Sequence, residues 1–93
     1  MTAPSQRPDP LRSLISECRK VLERANAASI RGDVRKKRDL LLESSLMAES
    51  IFVTMGGEPA SALFRYTHDF ITRPCDPAEA LRLLAEVERS LDK

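Results

Sequence analysis

Residues 32–58 read GDVRKKRDLLLESSLMAESIFVTMGGE. A glycine opens this stretch, a glycine pair closes it and no proline interrupts it, so it predicts one helix over 33–55 with Asp33 as its N-cap. Val34, Leu41, Ala48, Phe52 and Met55 recur at helical spacing on one stripe, and Leu40, Met47 and Ile51 widen it. Leu42, Leu46 and Val53 fall on a separate flank bordered by Arg35, Arg38 and Glu49. A helix in a small bundle needs one apolar stripe. A second row implies either deeper burial of that helix or a surface kept for a partner.

The same punctuation divides the rest of the chain. Upstream, Leu11, Leu14, Ile15, Cys18, Val21, Leu22 and Ala25 form one compact stripe on a helix predicted over 10–31. Downstream, the spacing predicts a helix over 59–73. Leu63, Tyr66 and Phe70 face one way, and Ala60, Phe64, Thr67 and Ile71 form a second row beside them. Asp76-Pro77-Ala78-Glu79 then opens a last helix over 77–92, with Asp as cap, proline at the first helical position and Glu three residues after the cap. Its stripe is Ala80, Leu81, Leu84, Val87 and Leu91. No stretch alternates as a strand does. Short connections favour antiparallel neighbours, so the expectation is an all-α, antiparallel up-down four-helix bundle over 10–93, preceded by an extended, proline-rich segment over 1–9.

Composition agrees and excludes several function classes. The chain has 93 residues, 15 Lys+Arg against 14 Asp+Glu and a net charge of +1, which suits one domain and gives no general field for nucleic acid. At 42% hydrophobic it is too apolar for a disordered chain, yet no apolar run reaches the roughly 20 residues of a membrane span. The first ten residues do not read as a signal peptide, and two cysteines without C-x-x-C spacing fit reduced thiols in a cytosol. Three of the four aromatics lie between Phe64 and Phe70.

Chemistry has little to stand on. His68 is the only histidine, its neighbour Asp69 points about 100° away on a helix, and a solvated surface role is expected. Cys18 falls in an apolar stripe and reads as a buried, inert thiol, whereas Cys75 in its loop could be exposed. No zinc spacing and no phosphate loop occurs, so neither an enzyme nor a cofactor or metal is expected. The run from Arg31 to Arg38 is the strongest charge feature. It reads as a solvated helix start, or as a patch for an acidic protein or nucleic acid, though it lacks an aromatic platform.

Five segments carry a resemblance. Leu22-Glu23-Arg24-Ala25 leads to Gly32-Asp33-Val34-Arg35-Lys36-Lys37; Leu41 and then Ser45 to Ile51 follow; Gly56-Gly57-Glu58 precedes Leu63-Phe64-Arg65-Tyr66; and Asp76-Pro77-Ala78-Glu79-Ala80-Leu81 runs on to Leu84. In this order the chain, from about Leu14 to Asp92, resembles the FliS family of flagellar secretion chaperones. Phe64 stands where that family's Leu-Tyr-x-Tyr element has its first Tyr. The chain departs in its N-terminal segment, in shorter loops near Met55–Leu63 and Pro74, and in lacking the family's common C-terminal Trp.

The resemblance implies a cytoplasmic export chaperone. Such a protein holds the C-terminal segment of flagellin, prevents premature polymerisation and delivers it to components of the flagellar type III export apparatus. Neither a nucleic acid nor a membrane is expected as partner, and the protein is expected as a monomer or weak dimer. The candidate contacts, chosen for their place off the main stripes, are Leu42, Leu46, Val53, Phe64 and Ile71. The alternative is a small helical adaptor or regulator using the basic turn at Arg31–Arg38.

Overall fold

A computed structural model describes residues 10–69 and 75–91 of the protein. These form four helices: α1 (Pro10–Arg31), α2 (Val34–Met55), α3 (Ala60–His68) and α4 (Pro77–Leu91), with no strand among the described residues. Each helix packs mainly on two others, so that α1–α2, α2–α3, α3–α4 and α4–α1 contacts close a ring around one core. The predicted 1–9 segment lies outside the described residues. So does the predicted third helix from Phe70 onward; its described part ends at His68, with Asp69 in a 3₁₀ turn.

The junction of α1 and α2 shows why residues 32–58 govern the fold. Gly32 takes φ +78°, a left-handed conformation that a Cβ would disfavour. The Gly32 N–H donates to the Ser29 carbonyl at 3.1 Å and the Asp33 N–H to the Ala28 carbonyl at 2.9 Å. This paired bonding satisfies the last carbonyls of α1 and ends that helix two residues before α2 begins. Asp33 then caps α2, its Oδ1 accepting from the Lys36 N–H at 3.1 Å. At the other end of the ring Asp76 caps α4, its Oδ1 accepting from the Ala78 N–H at 3.0 Å. Glu79, predicted to reach back to that cap, turns instead to Arg82, the only cation within one helical turn of it.

Ile15, Cys18, Val21, Leu22 and Ala25 of α1 and Ala80, Leu84 and Val87 of α4 are buried, as their stripes require. They meet Leu40, Leu41, Ala48 and Ile51 of α2 and Leu63 of α3 in one cluster. Two details differ from expectation. Val34 is 75% exposed, because it is the first residue of α2, directly after the Gly32-Asp33 connection. Ser44, Ser45 and Thr67 are buried polar residues inside the core surface. Their hydroxyls are satisfied, Ser44 Oγ by the Leu41 carbonyl at 2.8 Å and Thr67 Oγ1 by the Leu63 carbonyl at 2.9 Å.

Candidate functional site

The outward side of α2 carries the distinctive surface. Leu42, Leu46 and Val53 are 50%, 58% and 77% exposed. At 100° per residue they lie within about 40° of one another, in a row about 16 Å long opposite the buried face. Arg35 and Arg38 continue the same row toward the start of α2, and Glu49 interrupts it. The predicted extra flank of α2 is therefore solvent-facing rather than additional core.

The second row predicted on α3 resolves differently. Ala60 and Thr67 are buried, so this row belongs to the core: α3 is wedged between α2 and α4 and buries a wide arc. Phe64 is half-buried and stacks on Phe52 of α2, with ring centroids 5.6 Å apart and planes 7° from parallel. Beyond it His68 tilts onto Phe64 at 5.0 Å, and its Nδ1 hydrogen-bonds Ser45 Oγ across the helix pair at 3.1 Å. His68 is thus exposed, as expected, but it helps to tie α3 to α2. Phe52, Phe64 and His68 thus form one aromatic chain across the α2–α3 contact. Ile71 lies outside the described residues.

Sequence reasoning identified Leu42, Leu46 and Val53, because a 3.6-residue period separates two faces of a long helix. It missed the Phe52–Phe64 stack and the Ser45–His68 bond. Those depend on the rotation of α3 against α2, for which no local pattern exists.

Among the described residues both thiols are shielded and the cations of the α3–α4 groove are paired. Burial pushes the Cys18 thiol up to about 12, and its Sγ–H points to the Ser44 carbonyl. Cys75 is buried rather than exposed, and burial raises it to about 11 despite the nearby Lys37. The loop is covered because the Tyr66 hydroxyl accepts the Asp76 N–H at 2.9 Å and holds the chain against α3. Burial in turn raises the Tyr66 phenol above its ordinary value. A groove between α3 and α4 is lined by Arg65, Tyr66, Glu79 and Arg82 among others, but its cations are already paired, Arg65 with Glu58 at 2.9 Å and Arg82 with Glu79 and Glu86. Among the described residues no group of three His, Cys, Asp or Glu could hold a metal ion.

No protein-family model, no curated protein and no solved structure matches this chain.

Proposed function

We propose that this protein is a non-enzymatic cytoplasmic export chaperone of the FliS type, which binds the C-terminal segment of flagellin and keeps it from polymerising before export. The observation that carries the reading is the exposed Leu42–Leu46–Val53 row on α2. Three large apolar side chains at one azimuth form a strip that an amphipathic helix can cover with its own i, i+4, i+7 positions. The motif order from Leu22 to Leu84 supplies the client's identity through the family resemblance.

An antiparallel up-down order of the helices belongs to this proposal. The two-residue reversal at Gly32-Asp33 supports it, as do the paired contacts Ser45–His68 and Phe52–Phe64, in which the numbers rise on one helix as they fall on the other. Binding through a short strip also suits a chaperone's task. A client segment that orders on binding gives up about 2–5 kcal/mol, so capture stays moderate and hand-over to the export apparatus remains feasible.

The test is the affinity of the full chain for a synthetic flagellin C-terminal peptide. Leu42→Asp and Leu46→Asp alter exposed positions, so the circular dichroism spectrum should be unchanged while affinity falls by about 30-fold, the effect of losing a central apolar anchor. Folded variants that bind like the parent protein would remove the α2 row from the site. Binding that weakens steeply with salt in the parent protein would favour the basic-turn adaptor instead.

A further inference from the structure

The tip of the α1–α2 hairpin carries a second exposed apolar feature, separate from the proposed client row. Ile30 and Val34 are 79% and 75% exposed and stand on either side of the Gly32-Asp33 reversal, whose two backbone hydrogen bonds hold it rigid. Around them lie Arg31, Arg35, Lys36, Lys37 and Arg38. Five cations against Asp33 and Asp39 give residues 30–39 a charge of +3, which leaves −2 for the rest of a chain of net +1. The overall neutrality therefore hides a polarised molecule with its positive pole at one end.

Among the described residues none of these five cations makes a side-chain ion pair. Arg35, Lys36 and Lys37 occupy the first turn of α2, where the helix dipole disfavours positive charge. The Asp33 carboxylate at the α2 cap offsets part of that charge, and the half-buried Lys37 stands near Cys75. Arg31, Arg35, Lys36 and Arg38 remain as an exposed positive cluster that points outward to a partner.

The shape narrows the class of that partner. The recess beside the tip, lined by Asp33, Arg35, Lys36, Asp39, Leu40 and Glu43, does not include Ile30 or Val34, so these apolar side chains fit a surface that yields rather than that recess. The described aromatics Phe52, Phe64 and Tyr66 lie in the last turn of α2 and in α3, leaving no stacking platform for nucleobases at the tip. We infer that the α1–α2 tip docks peripherally on an anionic lipid surface. Ile30 and Val34 enter the headgroup boundary, and the surrounding cations lie against the headgroup phosphates. Such contact needs no spanning segment, and among the described residues no helix is long and apolar enough to cross a membrane. The proposal departs from the expectation that no membrane is a partner.

Co-sedimentation of the full chain with vesicles tests this directly. Vesicles of equal phosphatidylglycerol and phosphatidylcholine should retain the protein, and phosphatidylcholine vesicles should not. Each cation near an anionic surface contributes about fivefold to the partition coefficient, so Arg35→Glu should lower it at least fivefold. Ile30→Ser with Val34→Ser should lower it by at least about threefold, with the helical circular dichroism retained. Arg89→Glu makes the same charge change beside Glu86 at the far end of α4 and should leave partitioning unchanged. Absence of binding to anionic vesicles overturns the proposal. So does binding that ignores the Ile30/Val34 change, or that falls equally with Arg89→Glu. Capture by duplex DNA or by polyglutamate with the same Arg35 dependence, without vesicle binding, would make the tip a polyanion site and overturn it likewise.

Discussion

Leu22→Ala is expected to remove about 2–5 kcal/mol of stability, a large part of what a domain of this size has. Leu22 is fully buried in α1 and belongs to the cluster that all four helices share. Cutting its side chain back leaves a cavity that the surrounding helices can only partly fill. The loss therefore combines lost transfer free energy with lost contacts. For a domain of this length each kcal/mol moves the melting temperature by about 4–8 °C, so a fall of 10 °C or more is expected. Leu46→Ala removes the same atoms from a residue that is 58% exposed and should shift stability by no more than about 0.5 kcal/mol. Thermal melts of the two variants side by side check the assignment of core and surface. Similar losses in both would place Leu46 inside the core and remove the proposed client row.

Alkaline pH is expected to unfold the protein through its two thiols. Cys18 and Cys75 are raised by burial to about 12 and about 11, against an ordinary value of 9.0. The neutral thiol is the form the folded state favours. Between pH 9 and 11 the unfolded chain has already released these protons while the folded chain still holds them, so stability falls as pH rises. Below pH 9 both states are protonated at these positions and the contribution is intact. Each pH unit in the window weakens folding by up to about 1.4 kcal/mol per thiol, so a loss of about 2–3 kcal/mol from each is expected by pH 11. The raised Tyr66 phenol acts in the same direction. Denaturation midpoints from pH 8 to 11 should fall steeply for the parent protein and much less for Cys18→Ala with Cys75→Ala. Rapid alkylation of either thiol at pH 8, without denaturant, would contradict the burial that both shifts rest on.

Much of this architecture is legible in one sequence because helices advertise themselves. Gly32, the Gly56-Gly57 pair and the Asp33 and Asp76 caps mark the helix limits by backbone chemistry that does not depend on tertiary context. The stripes of α1 and α4 are legible because each helix buries one face, so period and burial coincide. The middle helices are harder. Val34 shares an azimuth with core residues but lies past the end of the helices that would cover it, and a projection down the helix axis carries no information about height. Ala60 and Thr67 look like a spare row on α3, yet α3 sits between two helices and buries both rows. Cys75 reads as an exposed loop residue because the covering bond from Asp76 to Tyr66 spans ten residues and leaves no local trace. For the candidate site, the separation of Leu42, Leu46 and Val53 from the core stripe is a property of α2 alone and is readable. The Phe52–Phe64 and Ser45–His68 contacts between α2 and α3 depend on how two helices are rotated and are not.

In the proposed function a flagellin C-terminal segment lies along the outer face of α2. Methyl-detected NMR of the full chain, titrated with a synthetic peptide of that segment, reads this contact residue by residue. Saturable shifts are expected at the methyl groups of Leu42, Leu46 and Val53, with Leu22, Leu84 and Val87 unmoved because they are buried away from that face. Absence of shifts at saturating peptide would contradict it, as would shifts confined to Ile30 and Val34 at the hairpin tip or to Leu81 and Leu83 on α4.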